Sequence, residues 1–308
     1  MTVPPLAAIG ERPAPDRRYS LSDIEFDFFR ERIARLAGIH LGEEKRDMVY
    51  ARLSRRLRAT GLSSFASYCE LLRSDEPAES QAFVNALTTN LTHFNREPEH
   101  FAYLRESLLP QLTARTPPSR PLRFWSAGCS TGEEAYSIAM EIAEAVPDFK
   151  QRDIRILATD IDTDVLAHGR VGRYHPKQVH RVDPARVPRY FRPAGSDALE
   201  VVPALRRLVT FNRLNLHDPW PMKRRFDGIF FCNVSIYFDP EVQRGFAARF
   251  AEALNDGGCL FLGYTESLVA GDDYFEVVQR SLYRPRRATA HNLPIAPERD
   301  TPRQQDTH

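Results

Sequence analysis

The sequence LRFWSAGCSTGEEAYSIAM occupies residues 122–140 and decides the fold. Its first part, LRFWSAG at 122–128, is a short apolar run typical of a buried strand, and Glu133 to Ala145 has the composition of a helix. Gly128 and Gly132, between them, permit a tight turn and a close approach of the backbone to a ligand. The helix directs the positive end of its dipole at the same place. This strand–turn–helix unit fits a nucleotide or nucleoside cofactor, although an ordinary helix-start turn explains the motif alone equally well.

The residues of the turn narrow the class of cofactor. The glycine spacing is GxxxG rather than GxGxxG, and no GK[ST] follows, so the dinucleotide fingerprint and the phosphate-binding loop are both missing. Glu133 and Glu134 would repel a pyrophosphate, which argues against an NAD-dependent dehydrogenase. A cofactor without phosphates is therefore preferred. S-adenosylmethionine is one, and it carries a sulfonium and an amino group that acidic side chains offset.

Strands and helices alternate outward from this unit. DIRILATD (153–160), FDGIFFCN (226–233) and GGCLFLGY (257–264) resemble strands, 163–170 and 240–254 resemble helices, and FEVVQRSLYRP (275–285) resembles a terminal β element. The alternation predicts a parallel, doubly wound α/β sheet. It stops at about 174–211, a proline-rich stretch with short β-like pieces, ALEVV and LVTF. We expect a small antiparallel β insertion there.

The N-terminal part of the chain has a different texture. Residues 20–91 show helical periodicity without a strand signal, which predicts a small helical domain. Within it, KRDMVYARLSRRLRATG (45–61) is an amphipathic helix with an apolar stripe and Gly61 at its end. The segment contains one acidic residue, Asp47, and the basic residues Lys45, Arg46, Arg52, Arg55, Arg56 and Arg58. Residues 1–19 resemble a flexible arm, and 285–308 resemble a disordered tail.

Bulk properties exclude several classes of protein. The 308 residues carry a formal net charge of +1, with 42% hydrophobic and 27% charged residues, so a global role in binding polyanions has no support. No aromatic residues alternate with the arginines of 45–61, which argues against nucleic acid. The four cysteines include no CxxC pair, so we expect neither a metal site nor a disulfide framework. No secretory signal and no membrane-length apolar run is seen, and we expect a cytoplasmic protein.

Three further segments contain candidate site residues. Asp160 ends the second predicted strand, where an acid accepts hydrogen bonds from ribose hydroxyls, although such a residue is often only a helix cap. NLTHFNREPEHF (90–101) places polar groups in a linker, where binding residues tend to gather. FCNVSIYFD (231–239) lies at the carboxyl end of a strand, so Asn233 and Tyr237 are directed toward the ligand crevice of an open sheet. Given the preceding glycine turn, the ribose role is favoured for Asp160. Taken alone, the linker residues are better explained as polar groups around a helix cap, and half-buried packing explains Tyr237 about as well as a site does.

Together these segments resemble the CheR family of chemotaxis receptor methyltransferases. The resemblance covers about residues 20–285 and depends on TNLTHFNRE, FWSAGCSTGEEAYSIAM, ATDID, LNLHDPWP, FDGIFFCNVSIYFD and LGYTESL in this order. It implies a class I S-adenosylmethionine methyltransferase, with a Rossmann-like doubly wound sheet at 92–284 that contains the β insertion. It also implies that the helical domain at 20–91 recognises the receptor.

The resemblance implies a role for each candidate residue. Arg96 and Tyr237 are expected to be catalytic, because they would position the substrate carboxylate. Cofactor contacts are expected from Asn90, Thr92, Arg96, Ala127, Glu133, Asp160, Asn215, Leu216 and Asn233. Among these, Ala127 and Glu133 are expected at the methionine portion, Asp160 at the ribose, and Asn215 and Leu216 at the adenine.

The chain departs from the family pattern at three positions. Asn95 replaces the second Phe of TxFFR, Cys232 stands at the Arg of CRNVMIYF, and Tyr264 stands at the His of GHSES. None of the three is among the expected catalytic residues, so the departures concern the shape of the pocket and the receptor preference.

The activity that follows is methyl transfer from S-adenosylmethionine to glutamate side chains of methyl-accepting chemoreceptors, which gives glutamate methyl esters. We expect the basic helix at about 45–61 to dock on an acidic receptor bundle, although most charge runs are merely solvated faces. The protein is expected to be a monomer that does not insert into a membrane. The alternatives are a methyltransferase with another target and a non-catalytic S-adenosylmethionine-binding signalling module.

Overall fold

The computed structural model describes residues 18–115, 117–268 and 273–286. Most of the predicted N-terminal arm and C-terminal tail lies outside these ranges. Two bodies are present, a helical domain before about residue 90 and an α/β domain after it. In the described part of the chain, no helix is long and apolar enough to cross a membrane.

The helical domain consists of four α-helices around one apolar core. These are α1 (Asp23–Ala37), α2 (Arg46–Thr60), α3 (Phe65–Arg73) and α4 (Pro77–Leu87). Ser22 begins α1 with a capping box to Glu25, and Gly61 ends α2 with a φ of 72°, as the sequence predicted. Aromatic rings fill the centre, where Phe29 packs within about 6 Å of Phe65, Tyr68 and Phe83.

Three basic residues of α2 are used inside the helical domain instead of facing outward. Arg46 pairs with Asp23 at 2.8 Å. Arg52 donates to the carbonyls of Leu87 and Thr88, which end α4 and have no partner within the helix. Arg56 pairs with Glu79, a carboxylate that is only 9% exposed. The sequence placed Arg52, Arg55 and Arg56 on the side of α2 away from its apolar stripe. Of these three only Arg55 is exposed, and the exposed cations of this segment are Lys45, Arg55 and Arg58.

A seven-stranded sheet organises the second domain. Its strands are β1 (Leu122–Ala127), β2 (Ile154–Asp160), β6 (Val209–Arg213), β7 (Phe226–Phe231), β8 (Leu254–Leu262), β9 (Phe275–Gln279) and β10 (Leu282–Pro285). They lie in the order β6–β2–β1–β7–β8–β10–β9. The first five are parallel, while β10 runs antiparallel between β8 and β9. The order reverses at β1, so the carboxyl ends of β1, β2 and β7 border one crevice. The predicted doubly wound fold is confirmed.

Helices cover both faces of the sheet. They are α5 (Pro98–Tyr103), α6 (Leu109–Arg115), α7 (Glu133–Ala145), α8 (Thr163–Val171) and α12 (Pro240–Ala253). A π-helical turn, Leu104–Leu108, joins α5 to α6. This helical stretch was not predicted from the sequence, because the polar residues of the linker before it were interpreted only as a binding motif. Successive side chains of β1 point to opposite faces of the sheet. Phe124 belongs to the apolar cluster on one face, and Trp125 belongs to the cluster on the other.

The predicted insertion is smaller than expected. A three-stranded antiparallel sheet contains β3 (Arg173–Tyr174), β4 (Phe191–Pro193) and β5 (Leu199–Val201), in the order β3–β5–β4. Short helices α9 (Pro176–Val179), α10 (Val187–Tyr190) and α11 (Pro203–Arg206) lie among and after these strands. The segment LVTF, predicted within the insertion, instead forms most of β6, because residues 209–213 pair in parallel with 156–160 at the edge of the main sheet.

The helical domain is joined to the α/β domain by hydrogen bonds near the crevice. The His40 amide donates to the Tyr237 carbonyl at 2.9 Å, and the Asn215 side chain donates to the Leu36 carbonyl at 3.0 Å. Asn85 donates to the Thr163 hydroxyl at 2.8 Å. The domain therefore forms a wall of the crevice as well as a separate body.

The pair formed by Arg56 and Glu79 generates a test. Glu79 also accepts the Tyr68 hydroxyl at 2.6 Å, and burial raises the pKa of Tyr68, so the phenol stays protonated and keeps donating. Arg56→Met leaves the buried carboxylate without its cation, and we expect a loss of about 1–3 kcal/mol in the free energy of unfolding. Urea unfolding followed by circular dichroism measures it.

The matched control is Arg55→Met, one position along the same helix, where the side chain is exposed. Its effect should stay within about 0.5 kcal/mol. Equal effects of the two substitutions would contradict the structural role given to Arg56.

Candidate functional site

A cavity of about 720 Å³ opens between the helical domain and the carboxyl ends of the strands. Its volume lies within the range typical of sites for cofactors and drug-sized ligands, roughly 300–1,000 Å³. The linker contributes Asn90, Thr92 and Arg96, and the sheet contributes Gly128, Asp160 and Asn233. Seven of the predicted cofactor residues and both predicted catalytic residues line it, namely Asn90, Thr92, Arg96, Asp160, Asn215, Leu216, Asn233 and Tyr237.

The glycine turn between β1 and α7 has the conformation that its sequence requires. Gly128 and Gly132 have φ values of 91° and 97°, which side chains rarely adopt. A Cβ at Gly128 would lie 2.4 Å from a methyl group of Val234, so the turn has no space for one. Gly128, which has no side chain, lines the cavity with its backbone.

Two aspartates at the end of β2 fix the loops around the cavity. Asp160 accepts the Ser130 amide at 2.8 Å, which ties β2 to the glycine turn. Asp162 accepts the Asn90 side chain and the Thr88 hydroxyl, each at 2.7 Å, while its other oxygen caps α8. The helix-cap function considered for Asp160 thus belongs to Asp162. Burial raises the pKa of Asp160 to about 6, and hydrogen bonds from the backbone amides of Asp162, Ser130 and Ile161 partly oppose the shift.

The two glutamates after the turn have different surroundings. Glu134 lines the cavity and accepts the Ser126 hydroxyl at 2.5 Å. Glu133 is only 2% exposed and accepts the Thr131 hydroxyl at 2.6 Å, away from the cavity lining. Ala127 and Glu133 do not line the cavity, whose wall at this turn is formed by Gly128 and Glu134, one residue later in each case. Their contacts with the cofactor stay predictions.

Burial also acts on Glu134, whose pKa it raises to about 7. A neighbouring carboxylate, Glu97, adds to this rise, while the hydrogen bond from Ser126 opposes it. A carboxyl in this state ionises readily when a cation binds beside it.

Arg96 and Tyr237 meet at the wall formed by the linker and the loop after β7. Arg96 donates to the Leu91 carbonyl at 2.6 Å, which holds the guanidinium near the cavity. Burial raises the pKa of Tyr237, and the positive charges of Arg96 and Arg52 oppose this shift. The phenol therefore remains a neutral hydrogen-bond donor at ordinary pH. Beside them, Leu91 and Ile236 line the cavity while remaining 75% and 56% exposed, so the rim has an apolar part.

The loop after β7 is held by a residue that the sequence analysis quoted without assigning a role. Glu266, in LGYTESL, accepts the amides of Asn233, Ser235 and Gly263 at 2.5–2.8 Å. It thereby stabilises Asn233 at a φ of 60°. The side-chain oxygen of Asn233 is buried without a hydrogen-bond partner. This orphaned acceptor on the cavity wall fits a ligand that brings a donor.

Asn215 and Leu216, the predicted contacts of the adenine, differ in whether their side chains are already engaged within the protein. Both residues line the cavity, and Leu216 is only 7% exposed. The Asn215 side chain is already engaged, since it donates to Leu36 and accepts the His217 amide at 3.2 Å. Its side chain thus supports the wall, and a base would meet chiefly the apolar surface of Leu216.

The polar groups that line the cavity fit S-adenosylmethionine. Carboxylates at Asp160 and Glu134 suit ribose hydroxyls and an amino group, the guanidinium of Arg96 suits a carboxylate, and Gly128 leaves space for close contact. The raised pKa values of the two carboxyls also suit a ligand that carries positive charge.

Comparisons with known proteins agree with this geometry. Residues 90–284 match the CheR methyltransferase SAM-binding domain, and residues 24–88 match the CheR methyltransferase all-alpha domain. Chemotaxis protein methyltransferase 2 of Pseudomonas aeruginosa is 43% identical over 265 residues, covering 85% of this chain and 92% of that protein.

Two further relatives have comparable similarity. The chemotaxis protein methyltransferase of Escherichia coli is 40% identical over 271 residues, covering 86% of this chain and 92% of that protein. A probable chemotaxis protein methyltransferase of Rhizobium etli is 42% identical over 234 residues, covering 75% of this chain and 87% of that protein.

The helical domain, the α/β domain and the cavity between them thus coincide with the two matched family regions. The chain belongs to the CheR methyltransferase family, and its cofactor is S-adenosylmethionine.

Proposed function

We propose that this protein transfers a methyl group from S-adenosylmethionine to glutamate side chains of methyl-accepting chemoreceptors. The observation that carries the proposal is the arrangement of the cavity, where two carboxyls face a wall that holds Arg96 and Tyr237 beside an exposed apolar rim. The chemotaxis methyltransferases that it resembles support the same class of substrate.

The chemistry requires alignment more than activation. Bound S-adenosylmethionine supplies an electrophilic methyl group on a sulfonium. An unperturbed glutamate side chain has a pKa of about 4.3, so its carboxylate is ionised at neutral pH and needs no base. One carboxylate oxygen forms the new C–O bond while the C–S bond breaks and the sulfur keeps the electron pair. Opposite charges are lost along this path, so a cavity that excludes water favours it.

Different residues would position the cofactor and the substrate carboxylate. Asp160 would accept hydrogen bonds from the ribose hydroxyls, and Glu134 would accept them from the amino group. Tyr237 would donate one hydrogen bond to the substrate carboxylate and leave the other oxygen free to attack. Arg96 is restrained by the Leu91 carbonyl, so it attracts the carboxylate without sequestering both oxygens.

The helical domain is proposed to dock on the receptor through Lys45, Arg55 and Arg58. These cations of the 45–61 segment remain exposed after Arg46, Arg52 and Arg56 have paired internally. Lys45 also lines the cavity, together with the exposed Glu44, so the mouth carries charges of both signs. An acidic helical bundle that lies on this face would bring its glutamates to the apolar rim.

The activity is tested with methyl-labelled S-adenosylmethionine and purified cytoplasmic fragments of chemoreceptors. Label that is released as methanol by mild base, and that disappears when the accepting glutamates are changed to glutamine, supports the proposal. Label that resists base would indicate another target. Cofactor binding without transfer to any fragment would indicate a non-catalytic signalling module.

Tyr237→Phe removes the proposed donor but keeps the ring that packs against the helical domain. We expect kcat to fall by about tenfold to a hundredfold, since one hydrogen bond to a charged group contributes roughly 1.5–3 kcal/mol. The affinity for S-adenosylhomocysteine should change less than threefold. Equal losses in kcat and in cofactor affinity would contradict a role in positioning the substrate.

The exposed cations give a second prediction. Changing Arg55 and Arg58 together to Glu should lower kcat/KM for an acidic receptor fragment at least tenfold at low salt, because electrostatic attraction mainly accelerates association. The KM for S-adenosylmethionine should not change. A docking role would be excluded by wild-type kinetics at low salt.

Cofactor affinity should depend on pH through Glu134. Its pKa is raised to about 7, so the carboxyl must lose its proton before it can pair with an amino group. Affinity for S-adenosylhomocysteine should therefore rise between roughly pH 6 and pH 8 and then level off. Glu134→Gln should bind more weakly and show a flatter profile in calorimetry. A wild-type affinity that falls over this interval would reverse the assigned sign.

A further inference from the structure

A second set of side chains meets at the inner wall of the cavity and has no role in the proposed reaction. Glu97, His100 and Cys232 each present one potential ligand atom, and these atoms all lie within 4.8 Å of one another. All three residues line the cavity. His100 and Cys232 are 132 positions apart in the chain, which is why the sequence predicted no metal site.

The distances resemble the edges of a zinc coordination shell. The nitrogen Nδ1 of His100 lies 3.3 Å from Oε2 of Glu97 and 3.9 Å from Sγ of Cys232. Metal–ligand bonds of about 2.0–2.3 Å in a tetrahedron place neighbouring ligand atoms roughly 3.3–3.6 Å apart. The three ligand atoms lie within 4.8 Å of one another, so some would have to move closer together by up to about 1 Å to bind one ion.

Glu97 and His100 are deeply buried and incompletely hydrogen-bonded, whereas Cys232 is partly buried and donates to the Phe261 carbonyl. His100 is 1% exposed and Glu97 is 7% exposed. Neither Oε2 of Glu97 nor the other ring nitrogen of His100 has a hydrogen-bond partner among the described residues, although Oε2 lies at ion-pair distance, 3.3 Å, from Nδ1 of His100. Buried polar atoms usually have a hydrogen-bond partner, so both atoms remain available to a ligand.

Neighbouring contacts hold the cluster in place. The other oxygen of Glu97 accepts the Tyr264 amide at 3.0 Å, and the Tyr264 ring packs edge-on against His100 at 5.3 Å. The thiol of Cys232 lies 3.6 Å from the Phe261 carbonyl. Two of the three departures from the family pattern, Cys232 and Tyr264, thus meet at His100. Where the pattern has Arg, this chain has a thiol between carboxylates.

We propose that Glu97, His100 and Cys232 bind one thiophilic divalent cation of the Zn²⁺ class. A thiolate, an imidazole and a carboxylate form a mixed ligand set that suits Zn²⁺, whereas Mg²⁺ and Ca²⁺ prefer oxygen alone. On binding, the thiol proton leaves to solvent and the sulfur donates its electron pair to the metal. Glu134, whose carboxyl also lines the cavity, or a water would complete the shell.

The site has a consequence for the cofactor, which rests on the proposed function. Glu134 is the proposed partner of the cofactor's amino group, and a cation bound beside it would compete for the same carboxylate. Occupation by Zn²⁺ should therefore lower the affinity for S-adenosylhomocysteine by tenfold or more. Methylation would then respond to the supply of Zn²⁺.

Cobalt titration of the full metal-free chain tests the site without using activity. Co²⁺ should give a thiolate charge-transfer band and tetrahedral d–d bands that saturate at one equivalent, and Zn²⁺ should remove them. The charge-transfer band should be lost in Cys232→Ser and retained in Cys69→Ser, a buried thiol in the helical domain. No band in the wild type, or an undiminished band in Cys232→Ser, would overturn the proposal.

Further variants keep the test decisive if Cys232→Ser does not fold. His100→Gln and Glu97→Gln should each weaken Co²⁺ binding by tenfold or more, and unchanged affinity in both would exclude the site. Calorimetry with S-adenosylhomocysteine, with and without one equivalent of Zn²⁺, tests the competition separately. Co²⁺ bands together with unaltered cofactor binding would overturn the competition, whereas absence of cofactor binding in metal-free wild type would overturn the proposed function instead.

Discussion

The hydrogen bonds of Asp160 and Asp162 are the constraint on which the rest of the site depends. Asp160 ties the end of β2 to the Ser130 amide in the glycine turn, and Asp162 ties the beginning of α8 to Thr88 and Asn90 in the linker. Ser130 then closes the circuit by donating its hydroxyl to the Asn90 carbonyl at 3.0 Å. Three segments that are distant in sequence are thus held around one cavity, and each presents polar side chains to it.

The position of the helical domain follows from the same circuit. Its last helix leads directly into the linker, and its carbonyls at that end are bonded by Arg52. The basic residues of α2 therefore divide into an internal group that joins α2 to its neighbours and an external group left for a partner. Composition alone does not distinguish the two groups, because both have the same charge and occur on the same short helix.

Much of this architecture could be predicted from the sequence. The alternation of strands and helices, the glycine turn and the cap at Gly61 depend on local preferences, and the structure has all of them. The limits of the insertion were misjudged, because LVTF has the composition of a strand in either sheet and only pairing with β2 decides between them. Glu134 and the cluster at His100 were missed for a related reason, since side-chain direction and long-range proximity are tertiary properties.

We propose that the cavity between the two domains binds the cofactor through Asp160 at the end of β2. Calorimetric titration of the wild type, Asp160→Ala and Asp164→Ala with S-adenosylhomocysteine tests this binding mode. Asp164 is a matched acid, exposed in the first turn of α8. We expect tight binding by the wild type and by Asp164→Ala, and a loss of tenfold or more in Asp160→Ala. Absence of binding in the wild type, or equal affinity in all three proteins, would rule out this role of Asp160.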